Sequence, residues 1–245
     1  MKAGIVEIAG MFPRRFAGDL LALTALCWAG FVIVVAGIEI SVTIWGSFDQ
    51  SLWAELAQIP SWFVAFIGGY ITYTLLPMYV ANGRTRREFA FRAALFLPVY
   101  ALFSAVLMTS GFLLERVLFS YNDWPQTIRS QHLYTSATEY GLIFTEFLMV
   151  YLVWGATGSL VGAAWYRSTG AGVGALFLAA VPLGVTSVAM TAELGPFDWV
   201  LDSIRRGQGE LPLAVSVLAC LAMLAGVLAV TWLAVRDIPL KAKTN

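Results

Sequence analysis

The sequence is poor in charge and nearly bare of the residues that usually carry chemistry. Asp, Glu, Lys and Arg make up 12% of 245 residues, with one histidine, His132, and two cysteines, Cys27 and Cys220. The only lysines are Lys2, Lys241 and Lys243, and none follows a glycine-rich loop. A P-loop is therefore absent, and ATP-driven work would need a second polypeptide. One histidine excludes histidine clusters; its expected place is the surface of a polar outer loop, where no elbow motif accompanies it to make a serine hydrolase. The cysteines fall inside apolar runs without neighbouring ligands or a resolving thiol, which leaves out disulfide and metal chemistry. The chain is accordingly expected to be no enzyme and to bind no metal or cofactor of its own.

What is abundant is apolar. The hydrophobic share is 59% and the mean hydropathy +0.77. Runs without a charged residue occupy 20–38, 56–83, 93–114, 147–166, 168–192 and 211–235. At a helical rise of about 1.5 Å per residue, each can cross a hydrocarbon core about 30 Å thick. They predict an all-α polytopic membrane protein with six transmembrane helices in residues 16–238. A weakly amphipathic interfacial segment, 1–15, is expected before them, with Pro13 at its turn, and a short tail, 239–245, after them. Pro77 is expected to bend the second span.

The formal net charge of zero hides an asymmetry. With both termini cytoplasmic, the inner side holds 11 of the 15 basic residues: Lys2, Arg14, Arg15, Arg84, Arg86, Arg87, Arg92, Arg167, Arg236, Lys241 and Lys243. That is the excess expected of cytoplasmic loops.

The densest basic stretch lies between the second and third spans: Gly83, Arg84, Thr85, Arg86, Arg87, Glu88, Phe89. Thr85 with Glu88 three residues on reads as a capping box, in which hydroxyl and carboxylate satisfy free N–H groups at a helix start. The spacing predicts a short helix along the inner surface. Arg86 and Arg87 would fall in its first turn, where the helix dipole disfavours cations, so a partner outside the helix is expected to compensate. The plain reading is a positive loop touching anionic lipid. The sharper one is a docking knob for a cytoplasmic protein.

Two carboxylates lie within spans. Glu146, about 10 Å inside the outer end of the fourth span at the helical rise, is expected to line a polar path, to pair with another helix or to stay protonated. Glu39 lies nearer the outer interface. Gly155, Gly158 and Gly162 on the fourth span permit close packing, by default within the same subunit. Tyr166, Arg167 and Gly170 form a second inner turn.

The segment Gly83-Arg84-Thr85-Arg86-Arg87 resembles the Gly-x-[Ser/Thr]-Arg-Arg segment of ABC-2-type permease subunits from Gram-positive bacteria. Glu115, followed at a distance by Trp124, resembles the acid-then-tryptophan pattern at the end of their third span. Tyr166-Arg167-x-x-Gly170, with Gly172 and Gly174 after it, is similar to their turn between spans four and five. The resemblance implies a half-transporter of the bacterial plasma membrane, paired with a second copy or a related permease chain. A separate cytoplasmic ABC ATPase, which brings ATP and Mg, would dock on residues 83–89. No nucleic-acid partner is expected. Two other readings stand beside it: a proton-coupled carrier using Glu146 assisted by Glu39, and a non-transporting membrane anchor or regulator.

Overall fold

A computed structural model describes residues 14–46, 50–128, 132–190 and 211–237. The expected interfacial segment (all but its last two residues), residues 191–210 and the tail lie outside them. The described residues are helical apart from turns, connecting segments and an isolated bridge between Gln50 and Thr127. In chain order they form α1 (Arg14–Trp45), α2 (Leu52–Glu55), α3 (Gln58–Tyr70), a π-helical turn (Ile71–Leu75), α4 (Leu76–Ala81), α5 (Arg86–Tyr121), α6 (Tyr140–Arg167), α7 (Thr169–Met190) and α8 (Leu213–Arg236). Among the described residues six segments are long and apolar enough to cross a membrane: Ala22–Val42, Leu52–Ala81, Arg86–Tyr121, Tyr140–Arg167, Thr169–Met190 and Leu213–Arg236.

The centre of the bundle is α6, which packs on α3, α5, α7 and α8. Of its most apolar window 78% is buried, against 17% for α8. Small residues explain how α3 comes so near. A side chain at Gly158 would collide with the backbone of Ala65, and one at Gly162 with that of Gly69, so the two backbones touch. Polar bonds lock the same seam: Thr72 Oγ1 donates to the Ser159 carbonyl at 2.7 Å and Ser159 Oγ to the Gly68 carbonyl at 3.2 Å. Such bonds have no water to compete with in a bilayer. Partners advance together along both helices, from Val64 with Gly155 to Tyr73 with Tyr166, so α3 and α6 run parallel.

The second span departs from α-helical geometry just ahead of its proline. An ordinary helix would drive the Pro77 ring into the carbonyl of Tyr73. The π-helical turn Ile71–Leu75 opens the backbone just ahead of that proline.

Two expectations, one about the basic stretch and one about the turn that follows Tyr166, need correction. The helix that begins at Arg86 is no short surface element: it runs unbroken for 36 residues through Arg92 and Pro98 into the span. A charge interrupts hydropathy without interrupting backbone hydrogen bonds. Likewise the turn expected over 166–174 shrinks to Ser168, whose hydroxyl accepts from Ala171 N–H at 3.1 Å and starts α7. Gly170, Gly172 and Gly174 are helical.

Candidate functional site

The bundle has two polar ends, built in different ways. At one end the chain leaves α4 through Asn82 and Gly83, whose φ of 77° is a conformation that glycine adopts freely. Thr85 is extended (φ −82°, ψ 148°) and its hydroxyl accepts the Glu88 N–H at 3.1 Å, which caps α5. The other half of the expected box is replaced. The Glu88 carboxylate binds Arg84 at 3.0 Å and Arg92 at 2.8 Å, and accepts a long bond from the Tyr79 hydroxyl at 3.4 Å. Arg92 also lies over the Tyr79 ring, 5.8 Å from its centre. Phe89 is buried and meets Tyr79 edge-on.

Arg86 finds its compensating partner in another helix. Its Nη1 donates to the Arg236 carbonyl at 2.6 Å, the C-terminal end of α8. A guanidinium there is favoured by the negative end of that helix dipole. Arg87 is exposed. The structure thus ties 83–89 to α4 and α8 and leaves Arg87 turned outward. Arg167 and Gly170 are exposed as well, and Tyr166 meets Tyr73 edge-on at 6.2 Å.

At the opposite end three carboxylates, Glu39, Glu115 and Glu146, are buried. Glu115, near the end of α5, accepts from Ser51 Oγ at 2.5 Å, Trp53 N–H at 2.9 Å and Gln126 Nε2 at 2.7 Å. Ser51 in turn caps α2, and Trp53 Nε1 reaches the Met108 carbonyl at 3.0 Å. One carboxylate therefore fastens the entry to the second span and the exit from the third. Glu39 is also buried, within electrostatic reach of Glu115. Trp124 packs edge-on against Phe119, one turn beyond Glu115.

Glu146 is fully buried on α6. Its Oε1 shares a hydrogen bond of 2.7 Å with His132 Nδ1, and its Oε2 accepts from Leu133 N–H at 2.7 Å. The expected surface histidine is overturned: the His132 side chain is 3% exposed and stacks on Tyr134, centroids 4.7 Å apart. An imidazole nitrogen and a carboxylate oxygen in direct contact share one hydrogen between them. Both the burial of His132 and the triple role of Glu115 escaped sequence reading. The only signal was an acid in a span without a cation at helical spacing.

Among the described residues no group of three or more His, Cys, Asp or Glu could hold a metal ion. No family model matches the chain, and no curated protein or solved structure does either.

Proposed function

We propose that this chain is the membrane-spanning permease subunit of an ATP-binding cassette exporter. It would form half of a translocation pathway with a second copy or a related chain, and couple to a separate cytoplasmic ATPase that binds ATP and Mg. The single observation behind this reading is the geometry at Thr85–Phe89. Capped and ion-paired residues start a rigid helix that continues without a break across the bundle, so force applied at the exposed Arg87 would pass into the span. With the basic end facing the cytoplasm, both termini lie inside and the site obeys the positive-inside bias.

The test is direct. Tagged protein purified from native membranes should carry a P-loop ATPase, identified by mass spectrometry, and Arg87→Glu should reduce both that ATPase and its associated activity about tenfold. A tag-purified chain with no nucleotidase, or an Arg87→Glu variant that retains it, overturns the reading. Membrane-impermeant thiol labelling at Asn82→Cys from the outside would overturn the orientation.

The buried His132–Glu146 pair favours a second reading, a proton-coupled carrier. In that case Glu146→Gln abolishes movement driven by a pH gradient, and ATP depletion has no direct effect on it.

A further inference from the structure

The first helix, α1, has two ordered sides. Thr24, Trp28, Phe31 and Val35 are buried and form the row by which it packs on the bundle. A second row, Leu26, Gly30, Ile33, Gly37, Ile40 and Ile44, has spacings that alternate four and three. At about 100° per residue it runs down the side of the helix facing away from the first row. Leu26, Ile33, Ile40 and Ile44 are 71%, 69%, 61% and 67% exposed, and a side chain added at Gly30 or Gly37 would meet nothing within 4 Å.

Lipid alone does not call for such a row. Acyl chains fit any apolar surface, and glycine is among the poorest helix formers, so two glycines in mid-span weaken α1 without return if only lipid covers them. Elsewhere in this chain mid-helix glycines serve contact: at Gly68, Gly158 and Gly162 the backbone of a neighbouring helix lies where a side chain would be. On α1 the glycines alternate with branched side chains in a coiled-coil pattern, Gly30 and Gly37 at position a, Leu26, Ile33 and Ile40 at position d. Gly226 on α8 is open as well, but Ala219 and Leu233 stand seven residues to either side of it, so no glycine repeat forms there.

We infer that a second copy of this chain covers this face, its α1 lying parallel to the first in a two-fold pair. Copies inserted the same way present α1 at the same depth, so each layer of the row meets itself, as an isologous contact requires. The a/d spacing then seats Ile33 of one copy between the partner's Gly30 and Gly37, and the glycines let the two backbones approach. The row bears no polar side chain, so a partner recognised by charge or hydrogen bonds has nothing there to hold. A different helix would need the same alternation at the same depth, which a second α1 supplies by identity. The inference goes beyond the exporter reading, which admits a related chain in the second position, and does not rest on it.

The test is disulfide scanning of the full-length chain in its native membranes, with Cys27→Ala and Cys220→Ala in the background and copper phenanthroline as oxidant. Leu26→Cys, Ile33→Cys and Ile40→Cys should each give a dimer on non-reducing gels, about fivefold or more above the exposed flanking positions Val32→Cys and Val34→Cys and above Ala229→Cys on α8. Gly37→Leu, which fills the hole, should cut the Ile33→Cys dimer about fivefold, and Gly37→Ala should cut it less. Because a side chain at Gly37 touches nothing in its own chain, Gly37→Leu should still elute as a single folded species in detergent, which separates lost pairing from lost fold. If it aggregates, the cysteine scan decides alone. Dimer formed alike at every exposed position marks random collision and overturns the proposal. So does a stronger dimer at Ala229→Cys, or an Ile33→Cys dimer that Gly37→Leu leaves unchanged. A P-loop ATPase that copurifies with a chain whose α1 forms no disulfide would leave the exporter reading standing and overturn the α1 pair; a row-specific dimer with no ATPase would do the reverse.

Discussion

The two polar ends of the bundle use the same residue types to opposite purposes. At the Thr85 end the Glu88 carboxylate is partly exposed and gathers arginines around it. At the other, Glu115 and Glu146 are buried and gather backbone N–H groups, a serine, a glutamine and a histidine. Exposed ion pairs contribute little to stability because water and salt screen them. Buried carboxylates with several donors are costly to disturb, since every donor left behind keeps its desolvation penalty. The first end is therefore free to change partners, and the second is built to hold its loops still.

Four substitutions sharpen or break that contrast. The largest effect is expected at Glu115→Ala, which strands Ser51, the Trp53 N–H and Gln126 together. A loss of about 3 kcal/mol, from donors worth about 1 kcal/mol or more each when left unsatisfied, should appear as a lowered thermal midpoint in detergent, with faster proteolysis near Gln126. Next is Glu146→Leu, which removes the acceptor of His132 and Leu133 at a cost of about 2 kcal/mol. Its signature is exposure of His132 to diethylpyrocarbonate, which should be slow in the parent. Thr85→Ala loses the cap of α5, about 1 kcal/mol, and amide exchange should quicken at Glu88, whose N–H the hydroxyl accepts, while α6 stays protected. The smallest effect belongs to Arg87→Ala, whose melting curve should overlay that of the parent. If Arg87→Ala destabilised the chain as much as Glu115→Ala, the contrast between the ends would be lost.

The six apolar segments were legible in the sequence because the cost of burying charge in hydrocarbon leaves long uncharged runs. The Thr85 cap was legible because its donor is three residues away. Glu115 was not, since its donors come from residue 126 and from residues more than 60 positions earlier, a closeness only the packing of α2 against α5 creates. His132 failed for a related reason. Its polar neighbours suggested a solvated loop, but an uncompensated Glu146 at the core of α6 draws the loop inward. The separate surface helix was misjudged because Arg92 reads as a break in hydropathy, whereas Glu88, one turn earlier, pairs with it and lets the helix run on.

The seam of Gly158 and Gly162 has a mechanical consequence. Backbone resting on backbone leaves no layer of side chains to slide or tilt, so α3 and α6 can move only as a single rod. Relative motion within the bundle must then be taken up at joints, and the narrowest of these is Ser168, one residue between two long helices. A swing there would change the width of the gap between α7 and the rod.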